Sequence, residues 1–287
     1  MKSTERRGFL RAATAALAAS PWLARAGDGQ PAQVAAPHDM SAMPASWTGK
    51  EQIGMLIYPG MTALDFVGPQ HMFAGLMGAK VHHVAKTMAP VVSDTQLAFM
   101  PTVTLGKCPR DLDILFVPGG GAGTIAAMQD TQILAFLADR GGRAKLVTSV
   151  CTGSLLLGAA GLLRGYKATS HWATHALLAE VGATPVQARV VHDRNRITGA
   201  GVSAGLDLGL AIVGMLRDTA YAQTTQLLAE YAPEPPFNAG TPRTAPPDVT
   251  AMVADMFKDF DPQVRAALTT AKGSKAAAGM TGQGGKK

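Results

Sequence analysis

Residues 145–163, KLVTSVCTGSLLLGAAGLL, constrain the fold of this chain more than any other stretch. Residues 145–150 form a short β-branched apolar run, which reads as a buried strand. Cys151 follows at once, then the small or polar Thr152, Gly153 and Ser154, then a Leu/Ala-rich segment of helical length. The thiol is therefore expected on a tight turn where a strand enters a helix. The amides of the first helical turn would point toward it, and the helix dipole would favour thiolate over thiol. The same amides can stabilise negative charge on a substrate. This is nucleophile-elbow geometry with sulfur in place of oxygen. A buried structural cysteine fits the same residues, since free Cys is among the most buried residue types. The pattern by itself leaves both readings open.

Around this stretch, strands alternate with helices. Residues 53–58, 80–85, 113–117, 167–170, 189–192 and 196–198 read as further strands. Helices are expected from Gly68-Pro69 to about Met77, over residues 131–140 and 173–181, and from about Ser203. Residues 90–93 and 97–103 read as a short hairpin. The alternation predicts an α/β fold, a three-layer sandwich with a mostly parallel central sheet covered on both faces. No internal repeat is present.

The ends of the chain read differently from this body, which spans residues 51–247. Residues 1–26 carry Arg6-Arg7-Gly8-Phe9-Leu10, an Ala-rich run too short for a stable membrane anchor, and the small-x-small site Ala24-Arg25-Ala26. They resemble a twin-arginine signal peptide, which implies use of the twin-arginine export machinery and a periplasmic or otherwise exported protein. Residues 27–50 have the composition of a linker. Residues 233–247 (PEPPFNAGTPRTAPP) form a Pro-rich arm expected to wrap a surface or a partner. Residues 249–268 read as one amphipathic helix, and residues 271–287 as a disordered tail without core-forming residues. Residues 1–26 hold five Lys/Arg and one Glu, and residues 272–287 four Lys and no acid, so of the net +6 the part between carries about −2. The basicity is peripheral, and no nucleic-acid partner is expected.

In an open α/β sheet, ligands bind outside the carboxyl ends of the strands. Three strands end in unusual segments, YPGMTALD with Asp65, VPGGGAG with Gly119-Gly120-Gly121, and VCTG with Cys151. A parallel sheet would bring them to one edge, placing a carboxyl, a thiol and exposed amides together as covalent catalysis of a small-molecule substrate requires. Asp65 lies among Leu64, Phe66 and Val67, where desolvation would raise its pKa and make it a proton carrier near neutral pH. A solvated helix cap is the alternative. The glycine run can aim amides at an oxyanion, or can simply turn the chain; it is not a phosphate loop, because no Lys-Ser/Thr follows. His171 and His175 are four apart and can share a helix face. No Glu lies between them and no Cys/His cluster completes a set, so neither a metal nor a cofactor is expected. His171 also ends a strand that could reach the Cys151 edge. His82 and His83 look structural. In an oxidising compartment a Cys108–Cys151 disulfide competes with the nucleophile reading.

Together the segments YPGMTALDFVGP, DILFVPGGGAG, VTSVCTGSLLLGAAGLLRGYKATSHWA, ITGAGVSAGLDLGL and LAEYAPEPPFNAGTP resemble the DJ-1/PfpI branch of the class I glutamine-amidotransferase-like superfamily. Asp65 within LDFVGP and the YAPEPPF segment are most similar to isonitrile hydratases, which add water to an isonitrile to give an N-substituted formamide. The resemblance implies a flavodoxin-like sandwich, usually a homodimer, with Cys151 as nucleophile and Asp65 as its acid/base partner. It implies that the Thr152 hydroxyl holds Asp65, that the Gly120 and Thr152 amides stabilise an anion, and that His171, Gly119 and Gly121 support the site. Thr152 stands where PfpI-type proteases have His, which argues against a peptidase. The same core also serves ligand sensing in AraC-type regulators, glyoxalase- or deglycase-like enzymes that carry Glu at the Asp65 position, and redox sensing.

Overall fold

The β-branched and apolar runs of the body assemble as strands, in a computed structural model that describes residues 43–281. The signal at residues 1–26, the linker up to residue 42 and the tail at 282–287 lie outside the described residues. In chain order the strands are β1 (Gln52–Leu56), β2 (Lys80–Ala85), β3 (Val91–Val92), β4 (Ala98–Phe99), β5 (Val103–Thr104), β6 (Ile114–Val117), β7 (Leu146–Val150), β8 (Lys167–Ala168), β9 (Thr184–Pro185), β10 (Val190–Asp193) and β11 (Arg196–Gly199). Seven of them form the central sheet in the order β10-β11-β7-β6-β1-β2-β5. Every neighbour in it is parallel except β10, which runs antiparallel to β11 at one edge. Strands β6 and β7 are buried along nearly their whole length, as a sheet covered on both faces requires.

The helices are α1 (Ala63–Ala74), α2 (Ala122–Gln129), α3 (Thr131–Gly141), α4 (Gly153–Ala159), α5 (Ala204–Leu216), α6 (Thr219–Leu228), α7 (Pro247–Met256) and α8 (Phe260–Thr281), with a 3-10 helix at Trp172–Val181. Helices α1, α5 and α6 pack together, and α2, α3, α4 and α8 form a second group. The sheet between them completes the three-layer α/β sandwich. Small residues set the approach of α5 to α1: a Cβ on Gly205 would lie 2.9 Å from Pro69, and one on Gly209 would lie 2.9 Å from Met72.

Several elements differ from expectation for identifiable reasons. Gly68-Pro69 does not start α1; the helix begins at Ala63 and carries Pro69 inside it, braced by α5. Val103 does not belong to the β3–β4 hairpin but to β5 at the edge of the main sheet. The expected helix over residues 249–268 is two helices. Pro262 fits the first turn of α8, but its ring and missing N–H would break a helix continuous with α7. Residues 271–281, expected to lack structure, continue α8. Part of the expected linker is docked: Trp47 Nε1 donates to Asp218 at 2.8 Å, and its ring meets Tyr221 edge-on.

Candidate active site

Strands β7, β6 and β1 are neighbours, so their carboxyl ends lie side by side. Cys151 follows β7 with its backbone at φ 57°, a left-handed conformation that L-residues adopt only under constraint. The constraint is visible on both sides of the residue. Its amide donates to the carbonyls of Gly199 (3.1 Å) and Ala200 (2.7 Å), at the end of β11. Its carbonyl accepts from the hydroxyls of Ser154 (3.1 Å) and Ser170 (3.0 Å). Gly153 then starts α4, in a space where a Cβ would lie 2.4 Å from the Val117 carbonyl oxygen. The expected elbow is therefore present and pinned at four points.

Asp65 reaches the elbow from the first turn of α1. Its Oδ2 accepts from the Gly119 amide at 2.8 Å, while Oδ1 is buried without a hydrogen-bond partner among the described residues. Thr62 N donates to the Gly119 carbonyl at 2.8 Å, which ties the start of α1 to the glycine loop. That start is capped from a distance, because Asp94 accepts from the Thr62 hydroxyl (2.8 Å) and the Ala63 amide (3.2 Å). Asp65 is fully buried and Cys151 nearly so.

Burial raises the Asp65 pKa to about 7; the Gly119 amide and the Cys151 thiol pull it back down, and the Asp94 charge adds a further rise. The Cys151 thiol is pushed well above its ordinary range, first by burial and then by the Asp65 charge, against the opposing pull of the Thr152 amide and hydroxyl. The helix N-terminus faces the sulfur as expected, but desolvation outweighs it, so the resting residue is a thiol and not a thiolate. The Asp65 charge raises the cost of ionising Cys151, so the carboxyl loses its proton before the thiol does.

Two expected contacts are not made. The Thr152 hydroxyl does not hold Asp65. It donates to the Gly120 carbonyl (2.9 Å), accepts from the Gly120 amide (3.0 Å) and meets Thr124 Oγ1 at 2.9 Å. The Gly120 amide is thereby occupied and is not free to receive an anion. Gly119 is the glycine the geometry demands, since a Cβ there would lie 2.6 Å from the Thr152 amide nitrogen and 2.8 Å from Asp65 Oδ2. Gly121 faces open space and Gly123 packs against Gly60.

His171 caps the 3-10 helix, accepting from the Ala173 amide at 3.3 Å, and its ring stacks on Phe257 rather than on the sulfur. With three residues per turn in such a helix, positions four apart point in different directions, so His171 and His175 do not present one face. Cys108 and Cys151 are both free and buried. Cys108 packs beside Gly54 and precedes β6, whereas Cys151 follows β7, so they occupy opposite ends of the sheet and the disulfide is not formed.

Sequence reasoning missed Thr124, Ser170, Asp94 and Phe257. Tyr58 donates to the Pro118 carbonyl (2.8 Å) and meets Thr124 Oγ1 (3.1 Å), so YPG supplies a strut under the glycine loop. Ser170 stands beside the histidine that drew attention. Asp94 and Phe257 carry no local signal, because their positions depend on tertiary packing.

Comparison with known proteins fits this arrangement. Residues 51–215 match the model of the DJ-1/PfpI family. The chain is 47% identical over 214 residues to the isonitrile hydratase of Pseudomonas putida, covering 75% of this chain and 92% of that protein. It is 28% identical over 172 residues to the HTH-type transcriptional regulator GbdR of Pseudomonas aeruginosa, covering 57% of this chain and 46% of that one. The crystal structure of a ThiJ/PfpI family protein from Pseudomonas syringae superimposes with a TM-score of 0.77 at 55% identity, covering 86% of this chain and 99% of that one. With a family match over more than half its length and a relative of high identity covered almost end to end, this chain belongs to the DJ-1/PfpI family.

Proposed function

We propose that this protein is an isonitrile hydratase that works through a covalent thioimidate on Cys151, with Asp65 as its proton carrier. The observation that carries this reading is the burial of the Asp65 carboxyl beside Cys151 on its strained elbow, which raises the pKa of both groups. The 47% identity to the Pseudomonas putida isonitrile hydratase supports it. An isonitrile carbon is carbene-like: it accepts a proton and a nucleophile at the same atom. Asp65 takes the thiol proton and passes it to that carbon while sulfur bonds to it, giving R–N=CH–S–Cys151. Water then adds to the same carbon, one of its protons going through Asp65 to nitrogen. Collapse of R–NH–CH(OH)–S–Cys151 expels sulfur, the hydroxyl proton returns through Asp65 to Cys151, and R–NH–CHO leaves. The sum is one isonitrile and one water in, one formamide out.

The first step develops no oxyanion. An occupied Gly120 amide is therefore compatible with it, and the glycine loop serves to hold Asp65 and Thr152. The Arg6-Arg7 signal supports placing the reaction outside the cytoplasm. Leu227, Leu228 and Phe237 are about 80% exposed, and such an apolar edge on α6 and the Pro-rich arm supports a homodimer.

Asp65 in place of Glu separates this reading from an aldehyde-directed one. Parallel assays on the purified protein test it: ethyl isonitrile to N-ethylformamide, and methylglyoxal to lactate. We expect formamide and no lactate. Lactate without formamide would replace the hydratase reading by a glyoxalase one.

A further inference from the structure

The carboxyl-terminal extension packs around the rim of the elbow. Helix α8 lies against α2, which begins just after the glycine loop, and against α4 and the 3-10 helix that His171 caps. Its anchor is apolar, with Phe260, Val264, Ala267 and Leu268 buried. Between α7 and α8, Phe257 stacks on His171 with ring centroids 5.0 Å apart and planes at 22°. Trp172 continues the surface at 5.7 Å from His171, and Phe260 backs Phe257 edge-on at 5.9 Å.

This aromatic ledge is joined to the elbow twice. Ser170, next to His171, donates to the Cys151 carbonyl at 3.0 Å. Gly201 follows the Ala200 carbonyl that accepts from Cys151, and a Cβ on Gly201 would meet His171 Cδ2 at 3.5 Å. Burial lowers the His171 pKa, which favours the neutral ring in the stack. Two of the neighbouring charges are paired outside it, Arg265 with Glu180 and Lys258 with Asp255. An isonitrile is linear through C≡N–R, so once its carbon meets the sulfur its N-substituent is held away from the elbow along that axis.

We infer that the extension forms the outer wall of the substrate entrance, and that Phe257, held flat on His171, selects isonitriles with a planar apolar N-substituent. The inference rests on the hydratase reading for the reaction but not for the wall.

The test compares kcat/KM for benzyl and ethyl isonitrile in the parent, Phe257→Leu and Phe257→Tyr. Leucine keeps apolar bulk against Phe260 and removes the flat face; tyrosine restores it. We expect Phe257→Leu to lower the benzyl-to-ethyl ratio about tenfold, on the scale of one aromatic stack, and Phe257→Tyr to return it to the parental value. A second readout needs no turnover: the rates at which N-benzyl iodoacetamide and iodoacetamide alkylate Cys151, followed by peptide mass. The same ratio should fall in Phe257→Leu. Unchanged ratios in both measurements, in a variant with parental circular dichroism and melting, would overturn the inference. A shifted alkylation ratio without turnover of any isonitrile would keep the wall and reject the hydratase reading.

Discussion

A carboxyl without exposed surface ionises only at the cost of leaving water, and Asp65 is such a carboxyl. Unfolded, it ionises near pH 4; folded, at about 7. The native state therefore holds a proton that the unfolded chain has lost between those values, and stability falls as pH rises across that window. Asp65→Asn removes the penalty. It should stabilise the protein at pH 8 by as much as roughly 4 kcal/mol, and by nothing at pH 4, in thermal melts at the two pH values. Activity should move the other way. Below the Asp65 pKa the pair holds two protons and the thiol has no base, so kcat/KM should fall tenfold per unit below pH 7 and level off above it. A flat profile from pH 5 to 8 would remove Asp65 from the mechanism. Both residues could be picked out of the chain, but the residues around Asp65 left a raised pKa and a solvated helix cap both open, and burial in the packed fold decides for the first. The protonation of Cys151 was not legible, because a helix N-terminus can be read from Thr152-Gly153-Ser154 whereas full burial of the thiol depends on the packed fold.

At the scale of elements, the site is a loop clamped between helix starts. The run Gly119-Gly120-Gly121 does not say which glycine matters, since three identical residues differ only in what faces them. The structure separates them, and Gly119→Ala should lower kcat/KM by at least about 10²-fold by pushing Thr152 and Asp65 apart. Gly121→Ala, which points into open space, should leave the fold unperturbed in the same melts. The β3–β4 hairpin acts through Asp94, whose carboxylate caps α1 from another element. Asp94→Ala should cost about 1 kcal/mol in urea denaturation, the usual worth of a helix cap. Local sequence around α1 pointed to the wrong start, because Gly-Pro signals a helix beginning unless a neighbour holds the proline inside. Gly205 and Gly209 of α5 do that here.

Over the whole molecule, the alternation of strands and helices made the α/β class, the parallel sheet and the converging edge of Asp65, Gly119 and Cys151 readable in advance. The embrace of that core by both flanks was not readable, since it depends on pairs far apart in the chain. Arg217 donates to Glu51 at 2.6 and 2.9 Å and to the carbonyls of Trp47 (2.8 Å) and Met77 (3.1 Å), tying the start of the body to the turn between α5 and α6. Its side chain is almost wholly buried, so Arg217→Ala should strand Glu51 and destabilise the fold by about 3–5 kcal/mol in urea denaturation. At the other flank, α8 packs on α2, α4 and the 3-10 helix, which joins the extension to the half of the molecule that carries the elbow. The most direct test of the account is N-alkylformamide formation from an alkyl isonitrile at pH 7.5 by the purified protein, beside Cys151→Ala. The account predicts steady turnover by the parent and none above background by the variant. Formamide from Cys151→Ala at the parental rate, or none from a parent whose Cys151 is shown reduced by thiol titration, would contradict it.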